Sequence, residues 1–556
     1  QTGGADILRT PGRVRDVIAA RLERLSERAR QLAALASAIG QAFDFALLDR
    51  AAAIGTHATA EAVEELVARR LLHAVGERLD FTHERIREVA YDQLIAPRRI
   101  LLHAQVADAI EGLHADNPEP HALALGVHFR KAQRWQQALS YLRQAGLTAA
   151  RRSAHRQAIT CFEQALDALR HLPDRRELLE QAIDLRFAMR HSCVAVGAIA
   201  RTADDLRDAE AMAETLGDRL RLGWVLAYRT SSHLWNGEHD SALQTAQRAV
   251  VIAATVAEPK LRNAAHLYYG EACYAVGQYP RAADLMRQTI RPLEGELFDR
   301  GDEAAQQTYA RTLAICTLAE IGAFTEGAAY GGEAIRLAEA TGRTNSLAHA
   351  CFALGFLHLR QGDAERALPV LERGWGLCDR REGPLLAAAL SGMLGYGCAL
   401  SGDPMRGIPL LDSSVDFFRA IRSESSSVVF LGEAHLLAGH DAAAHALAEQ
   451  AIALTRERGE RGFEAWALRL QADSAGRAAP VAAAAAYDQV LALAAELGME
   501  PLAAHCHLGR GRLRRQIGDR ERARADLSAA ANRFRSTGMT VWLARAEADL
   551  AGAERD

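Results

Sequence analysis

Residues 355–374 read Gly355-Phe356-Leu357-His358-Leu359-Arg360-Gln361-Gly362-Asp363-Ala364-Glu365-Arg366-Ala367-Leu368-Pro369-Val370-Leu371-Glu372-Arg373-Gly374. At the centre, Gly362-Asp363 ends one helix and starts the next: glycine supplies the left-handed C-cap and aspartate the N-cap. The same pair of residues stands at 402–403 and 518–519. Working outward, a turn glycine recurs at Gly197, Gly237, Gly277, Gly322, Gly362, Gly402, Gly439, Gly476 and Gly518. Small residues recur with it. Seven positions before the marker stand Gly270, Gly355, Gly395, Gly432 and Gly511. Five after it stand Ala242, Ala282, Gly327, Ala367, Gly407, Ala444 and Ala523, and twelve after it Ala249, Thr289, Ala334, Gly374, Ser414, Ala451 and Ala530. Small side chains at fixed offsets let two helices approach closely while flanking Leu, Val and aromatic residues bury against them. Pro280 and Pro404 fall in the first turn of a second helix, where proline is tolerated. The unit at Gly476 is degenerate, with Arg469, Val481 and Asp488 in its small columns. An irregular helical bundle is the alternative, but it gives no reason for a fixed period.

These offsets resemble those of the tetratricopeptide (TPR) repeat, in a long form of about 40 residues. Residues 176–556 are therefore expected to form a right-handed TPR-like superhelix of about eight to nine repeats. Two looser units are expected within 111–175, around Arg134–Ala138 and Ala154–Ala158.

Residues 12–110 do not share the period. Val14, Val17, Ile18, Leu22 and Leu25 mark a first helix, and Ser26 caps a second that runs to about Ile39. Further helices are expected over Ala46–Ile54 and Ala60–Leu72. The run Leu72–Val75, the turn Gly76-Glu77-Arg78 and the run Leu79–Phe81 read as a short β-hairpin. Thr82 is expected to cap a helix through His83, Ile86, Val89 and Leu94. Helices followed by a hairpin make a winged-helix domain. The expected fold is thus all-α with one short hairpin: a winged-helix domain, then an α-solenoid. Residues 1–11 read as the tail of an upstream domain.

The segment Phe81-Thr82-His83-Glu84-Arg85-Ile86-Arg87-Glu88-Val89-Ala90-Tyr91-Asp92-Gln93-Leu94, with Arg98-Arg99 and His103, resembles the stretch just after the ATPase core in bacterial STAND-type signal-transduction ATPases. So does Leu123–Pro173, with the first repeats of that family. Such proteins often carry a class III adenylate or guanylate cyclase domain, others a DNA-binding domain. The resemblance implies that ATP or ADP and Mg bind an upstream domain of the same polypeptide. It also implies that His83 senses nucleotide phosphate, because related switches place a His-Asp pair there. Here the pair is His83-Glu84, its carboxylate one methylene longer. An imidazole at a helix N-terminus lies beside partial positive charge, a favourable place for phosphate. A local cap or packing histidine is the other reading of His83.

Other chemistry is sparse. Only Lys131 and Lys260 are lysines among 66 basic residues, and neither follows a glycine-rich loop, so no P-loop is present. No cyclase segment, nucleophile elbow or metal-ligand spacing is recognisable. His83-Glu84-Arg85-Ile86-Arg87 lacks the second histidine of a zinc-protease motif. His505 and His507 lie about 200° apart around a helix. Gly392, Gly395 and Gly397 have no preceding strand and read as packing positions. The eight cysteines are single and read as core residues of a cytoplasmic protein.

The 556 residues carry a net charge of −4 with 49% hydrophobic content, as a soluble multidomain chain does. Apolar runs are far shorter than the ~20 residues a spanning helix needs. The expected role is non-catalytic and regulatory, with a protein or small effector in the repeat groove and the upstream ATPase domain as partners. A DNA-binding regulator is the alternative, but Glu61, Glu64 and Glu65 on the helix that would face the groove oppose phosphate. A stand-alone repeat scaffold is a further alternative. A lysine-based clamp for peptide carboxylates has only two candidate lysines.

Overall fold

The computed structural model describes residues 12–173, 175–290, 301–378, 383–476 and 479–555; the expected tail at 1–11 lies outside them. The chain divides into two compact units, 1–192 and 193–556, within the helix Arg176–Ala195.

The first unit opens with α1 (Gly12–Glu23) and α2 (Glu27–Ile39), joined at Ser26, whose hydroxyl accepts from the Ala29 amide at 3.2 Å. Next come β1 (Ala42–Asp44), α3 (Phe45–Ala52), α4 (Thr56–Ala68), β2 (Leu72–Val75) and β3 (Arg78–Phe81). The hairpin forms with Val75 opposite Arg78, and Gly76 takes a φ of 62° in its turn. It is not alone, as the sequence implied. β1 adds to its free edge, Phe43 opposite Leu79, giving a three-stranded antiparallel sheet of order β1-β3-β2. Alternation decides the faces: Leu79 and Phe81 point inward, and Phe81 meets Phe43 edge-on at 6.2 Å.

Helix α4 starts and stops earlier than the apolar pattern suggests. Arg70 adopts a left-handed φ of 55°, which frees Leu72 to enter the sheet. Thr82 is not the cap of α5 (Glu84–Asp92); its hydroxyl donates to the Arg70 carbonyl at 2.9 Å, and His83 holds the N-cap position. Helix α6 (Ala96–Leu113) follows, then Ala122–Lys131, Trp135–Arg151 and His155–Leu169. The last three pack in succession through glycines. A Cβ on Gly126 would meet Leu142 at 2.7 Å, and one on Gly146 would meet Phe162 at 2.6 Å. Their two turns use Gln133 and Ser153 in left-handed backbone, at φ 58° and 60°.

In the second unit, helical pairs alternate in step with the markers, and each is named here by its turn glycine. The Gly237 pair is Arg219–Trp235 with His239–Thr255; the Gly277 pair is Pro259–Ala275 with Tyr279–Thr289. The Gly322 pair is Gly301–Ile321 with Phe324–Ala340; the Gly362 pair is Thr344–Gln361 with Ala364–Gly376. The Gly402, Gly439, Gly476 and Gly518 pairs follow, and after them the helix Thr540–Arg555. Eight of the nine marker glycines have positive φ; Gly476, in the degenerate unit, is right-handed at φ −55°. Asp363 and Asp403 cap their helices through the amides of Arg366 and Arg406 at 3.0 and 3.2 Å.

The small columns are contact points. Ala242, Ala282, Ala367 and Ala523 are fully buried. A Cβ on Gly395 would strike the Gly407 carbonyl oxygen at 2.6 Å, so the two helices of the Gly402 pair touch backbone to backbone. The fold class is a helical repeat solenoid of TPR type preceded by helices around a small sheet.

Candidate functional site

In each pair the first helix packs on the first helix of the next, from Thr344–Gln361 through Pro384–Leu400 and Ser425–Leu437 to Arg461–Ala475. First helices therefore form the inner layer of the second unit, and what they turn inward is what a ligand of the array would meet. Side chains that meet between neighbouring first helices recur about thirteen, nine, six and two residues before the marker. They carry Trp224, Tyr228, Tyr268, Glu271, Tyr309, Glu320, His349, Phe356, Arg360, Tyr396, Phe430 and Glu433.

This inner layer has two regimes. Toward the N-terminal ends of the early first helices lies a half-buried aromatic row: Trp224 beside Tyr228 at 5.6 Å, Tyr228 beside Tyr268 at 5.9 Å, and Tyr309 beside His349 at 6.1 Å. The Tyr309 hydroxyl donates to Glu271 at 3.1 Å. Toward the marker ends the layer is closed by the chain itself. Glu320, Arg360, Glu433 and Trp466 are all buried. Arg360 Nε donates to Glu320 at 3.0 Å and Trp466 Nε1 donates to the other oxygen at 2.8 Å. Arg469 pairs with Asp473 at 2.6 Å and with Glu433, which also accepts from the Tyr396 hydroxyl. Burial holds the Tyr396 and Tyr487 hydroxyls well above the ordinary phenol range and keeps His505 neutral.

A second set of contacts closes the unit along its edge. The His239 ring donates from Nδ1 to the Arg458 carbonyl at 2.6 Å, across 219 residues. The Arg458 side chain lies against Gly237 and bonds Ser425 and Glu424 at 2.9 and 3.1 Å. Gly277 faces the Gly462 amide, and a side chain at 462 would collide with the Tyr279 hydroxyl. Gly322 faces Pro501 and Thr537, Gly362 faces Trp542, and Gln361 donates to the Gly538 carbonyl at 2.9 Å. The turn glycines Gly237, Gly277, Gly322 and Gly362 thus serve twice, as helix terminators and as the floor of a seam between early and late pairs. Gly402 has nothing within 4 Å and serves only the turn.

In the first unit, His83 has extended backbone (φ −148°, ψ 141°) and an exposed ring, and its side chain makes no bond to the helix it precedes. With Glu84, Arg85 and Ile86 it lines an open hollow whose other wall is Val14, Val17, Ile18 and Arg21 of α1. Arg21 is held by the carbonyls of Arg69 and Arg70 at the end of α4. On α4, Glu61 and Glu64 are exposed, while Glu65 is bound to the Ser26 hydroxyl and amide, which hold its carboxyl below the usual range.

The sequence did not single out a buried histidine pair. His103 and His128 face each other Nδ1 to Nδ1 at 3.0 Å, and the Tyr91 hydroxyl bonds His103 Nε2 at 2.8 Å. Burial pushes His103 down to about 3 and His128 to about 4, the positive charge of Lys131 adding to both. Lys131 ends the helix Ala122–Lys131 beside the Tyr91 ring, and Lys260 opens a helix. Neither lies in a phosphate-cradling loop, so these residues do not fit a nucleotide site.

Among the described residues, no group of three His, Cys, Asp or Glu side chains is arranged to hold a metal ion, and no helix is long and apolar enough to cross a membrane. No family model matches the chain, and no curated protein sequence matches it. Solved structures with a similar course include a Rap protein complexed with competence and sporulation factor: 12% identity, 65% of this chain, 98% of that one, TM-score 0.49. The APC/C hetero-tetramer Cut9–Hcn1 aligns at 12% identity over 83% of this chain and 91% of that one, TM-score 0.42. A signal transduction ATPase with numerous domains from Pyrococcus horikoshii, with a tetratricopeptide repeat sensor, aligns at 12% identity over 98% of this chain and 67% of that one, TM-score 0.33.

Proposed function

We propose that this chain is a non-catalytic sensor and regulatory module, in which the repeat array captures a protein segment or small effector and the first unit reports to an ATPase core of the same polypeptide. The observation that carries the first half is the inner layer. Aromatic and charged side chains recur on it at fixed offsets, and a row from Trp224 to His349 remains half-exposed. Repeat solenoids use such continuous inner faces for recognition.

The second half rests on His83. The order α2-β1-α3-α4-β2-β3 supports a winged-helix reading of the first unit. In that reading, an exposed imidazole at the N-terminus of α5, with Arg85 and Arg21 on the same hollow, suits a phosphate of ATP or ADP bound with Mg on the upstream core. Capture in the array would then shift the balance between two states of that core. The output domain would be a cyclase or a transcriptional one, in a cytoplasmic protein. Duplex DNA is disfavoured as a direct partner, since α4 would bring Glu61 and Glu64 to phosphate.

His83→Ala in the full-length polypeptide tests the coupling. Faster ADP release and raised basal activity are expected, and unchanged nucleotide affinity and basal activity would overturn it.

A further inference from the structure

The closed part of the inner layer holds one arrangement that core packing does not require. Arg360 is buried in a box contributed by four different helical pairs. Its guanidinium carbon lies 4.0 Å from the Trp466 ring, 5.0 Å from Phe430 and 5.2 Å from Phe356. Glu320 supplies the carboxylate, with one oxygen fixed by the Trp466 indole and the other turned to Arg360. Three aromatic faces and an oriented carboxylate form a receptor for a planar cation.

The occupant fits this receptor incompletely. A guanidinium has five N–H donors and binds a carboxylate best through two of them. Arg360 gives Glu320 a single bond from Nε, and its Nη2 is buried without a partner. A buried charge of this kind is a poor source of stability, because apolar residues of similar volume hold a core together as well. The box also spans the closure: the Glu320–Trp466 bond joins residues 146 apart, on the Gly322 and Gly476 pairs. Whatever side chain fills the box is therefore tied to whether early and late pairs meet.

We propose that the Glu320–Phe356–Phe430–Trp466 box is a guanidinium-binding site, filled in the closed array by the chain's own Arg360, and that the array's partner is an arginine-bearing peptide segment that takes Arg360's place. This deepens the recognition reading above and rests on it. The partner's guanidinium enters as the seam between Gly277–Gly362 and Gly462–Trp542 opens, and Arg360 leaves toward solvent. Arg360 in this role is an internal competitor that keeps affinity low until a matching segment arrives.

The test uses the whole chain carrying Arg360→Ala, with ethylguanidinium as probe and ethylammonium as control, read by thermal melting and calorimetric titration. The variant melts lower than the parent. Ethylguanidinium is expected to bind it saturably and restore the melting temperature, while ethylammonium does neither, and Glu320→Gln in the same background abolishes the response. An acetyl-Gly-Arg-Gly amide peptide is then expected to bind the parent about tenfold more weakly than the variant. Should Arg360→Ala fail to fold, refolding in ethylguanidinium replaces the melt: recovery supports the site, and no recovery overturns it. Arg360→Met, which fills the box with an apolar chain, folds without probe and shows no response. Absence of probe binding, or an equal response to ethylammonium, overturns the box alone. Probe rescue without peptide binding to either protein overturns the arginine partner and leaves the recognition reading standing.

Discussion

Gly362 and Gly402 occupy the same place in successive repeats, with φ of 87° and 98°, yet only Gly362 has a neighbour across the seam. Alanine at either site forces a side chain into left-handed backbone, at a cost of about 1–2 kcal/mol. At Gly402 the new Cβ meets nothing within 4 Å, so that cost is the whole effect. At Gly362 the Cβ collides with the Trp542 indole, which is wedged against His505 at 4.5 Å and stacked near Phe534. Trp542 must move, adding the ~1–3 kcal/mol typical of overpacking. Gly362→Ala is therefore expected to destabilise by about 1–3 kcal/mol more than Gly402→Ala. Parallel thermal or urea unfolding of the two variants measures the difference, and indole fluorescence should shift only in Gly362→Ala. Equal losses with unchanged fluorescence would mean that Trp542 does not sit on Gly362 in solution.

Other sites give independent readings. His103 and His128 are held neutral by burial, with values of about 3 and 4 against 6.5 for an ordinary histidine. Below pH 6.5 the unfolded chain binds more protons, so stability is complete above that pH and falls as pH drops toward 3. Urea unfolding at pH 7 and pH 5 should show this fall, and replacing both histidines with asparagine should flatten it; an unaltered slope would refute the assignment. Ala367→Leu, in a fully buried column position, should cost about 1–3 kcal/mol. Val481→Ala, in the same column of the degenerate unit but 71% exposed, should stay within about 0.5 kcal/mol; comparable losses in urea unfolding would contradict the column assignment. Asp363→Ala removes the bond to the Arg366 amide and should cost about 1 kcal/mol, read in the same assay.

What the sequence made legible was local and chemically marked. Glycine in a left-handed turn and alanine where helices touch are hard to replace, so their period survives to be read. The left-handed turns at Gln133, Ser153 and Arg422 carry no such mark. β1 is three residues long and has no alternation to show. The N-cap position of α5 falls on His83 and not on Thr82, whose hydroxyl instead donates to the Arg70 carbonyl at the end of α4. The seam was invisible for a different reason. Its two hydrogen bonds join residues 177 and 219 apart, both onto backbone carbonyls, and no sequence period encodes which late pair meets which early one. The same holds for Glu320, Arg360 and Trp466, which look like ordinary helix residues until the inner layer brings them together. His83 was found from its motif, and its exposure leaves it available for the role the resemblance implies.

The claim that the array closes on itself is tested most directly by a distance between Glu238 and Glu457, exposed residues flanking the His239–Arg458 contact. Nitroxide labels on cysteines introduced at both positions, with half-buried Cys378 changed to serine, report it by pulsed electron resonance. Closure predicts one short, narrow distribution, since the His239 ring reaches the Arg458 carbonyl at 2.6 Å. An open array, with the nine described helices from Pro259–Ala275 to Ser425–Leu437 between the two sites at about 8–10 Å spacing, predicts a broad distribution centred several tens of ångströms away and would contradict it.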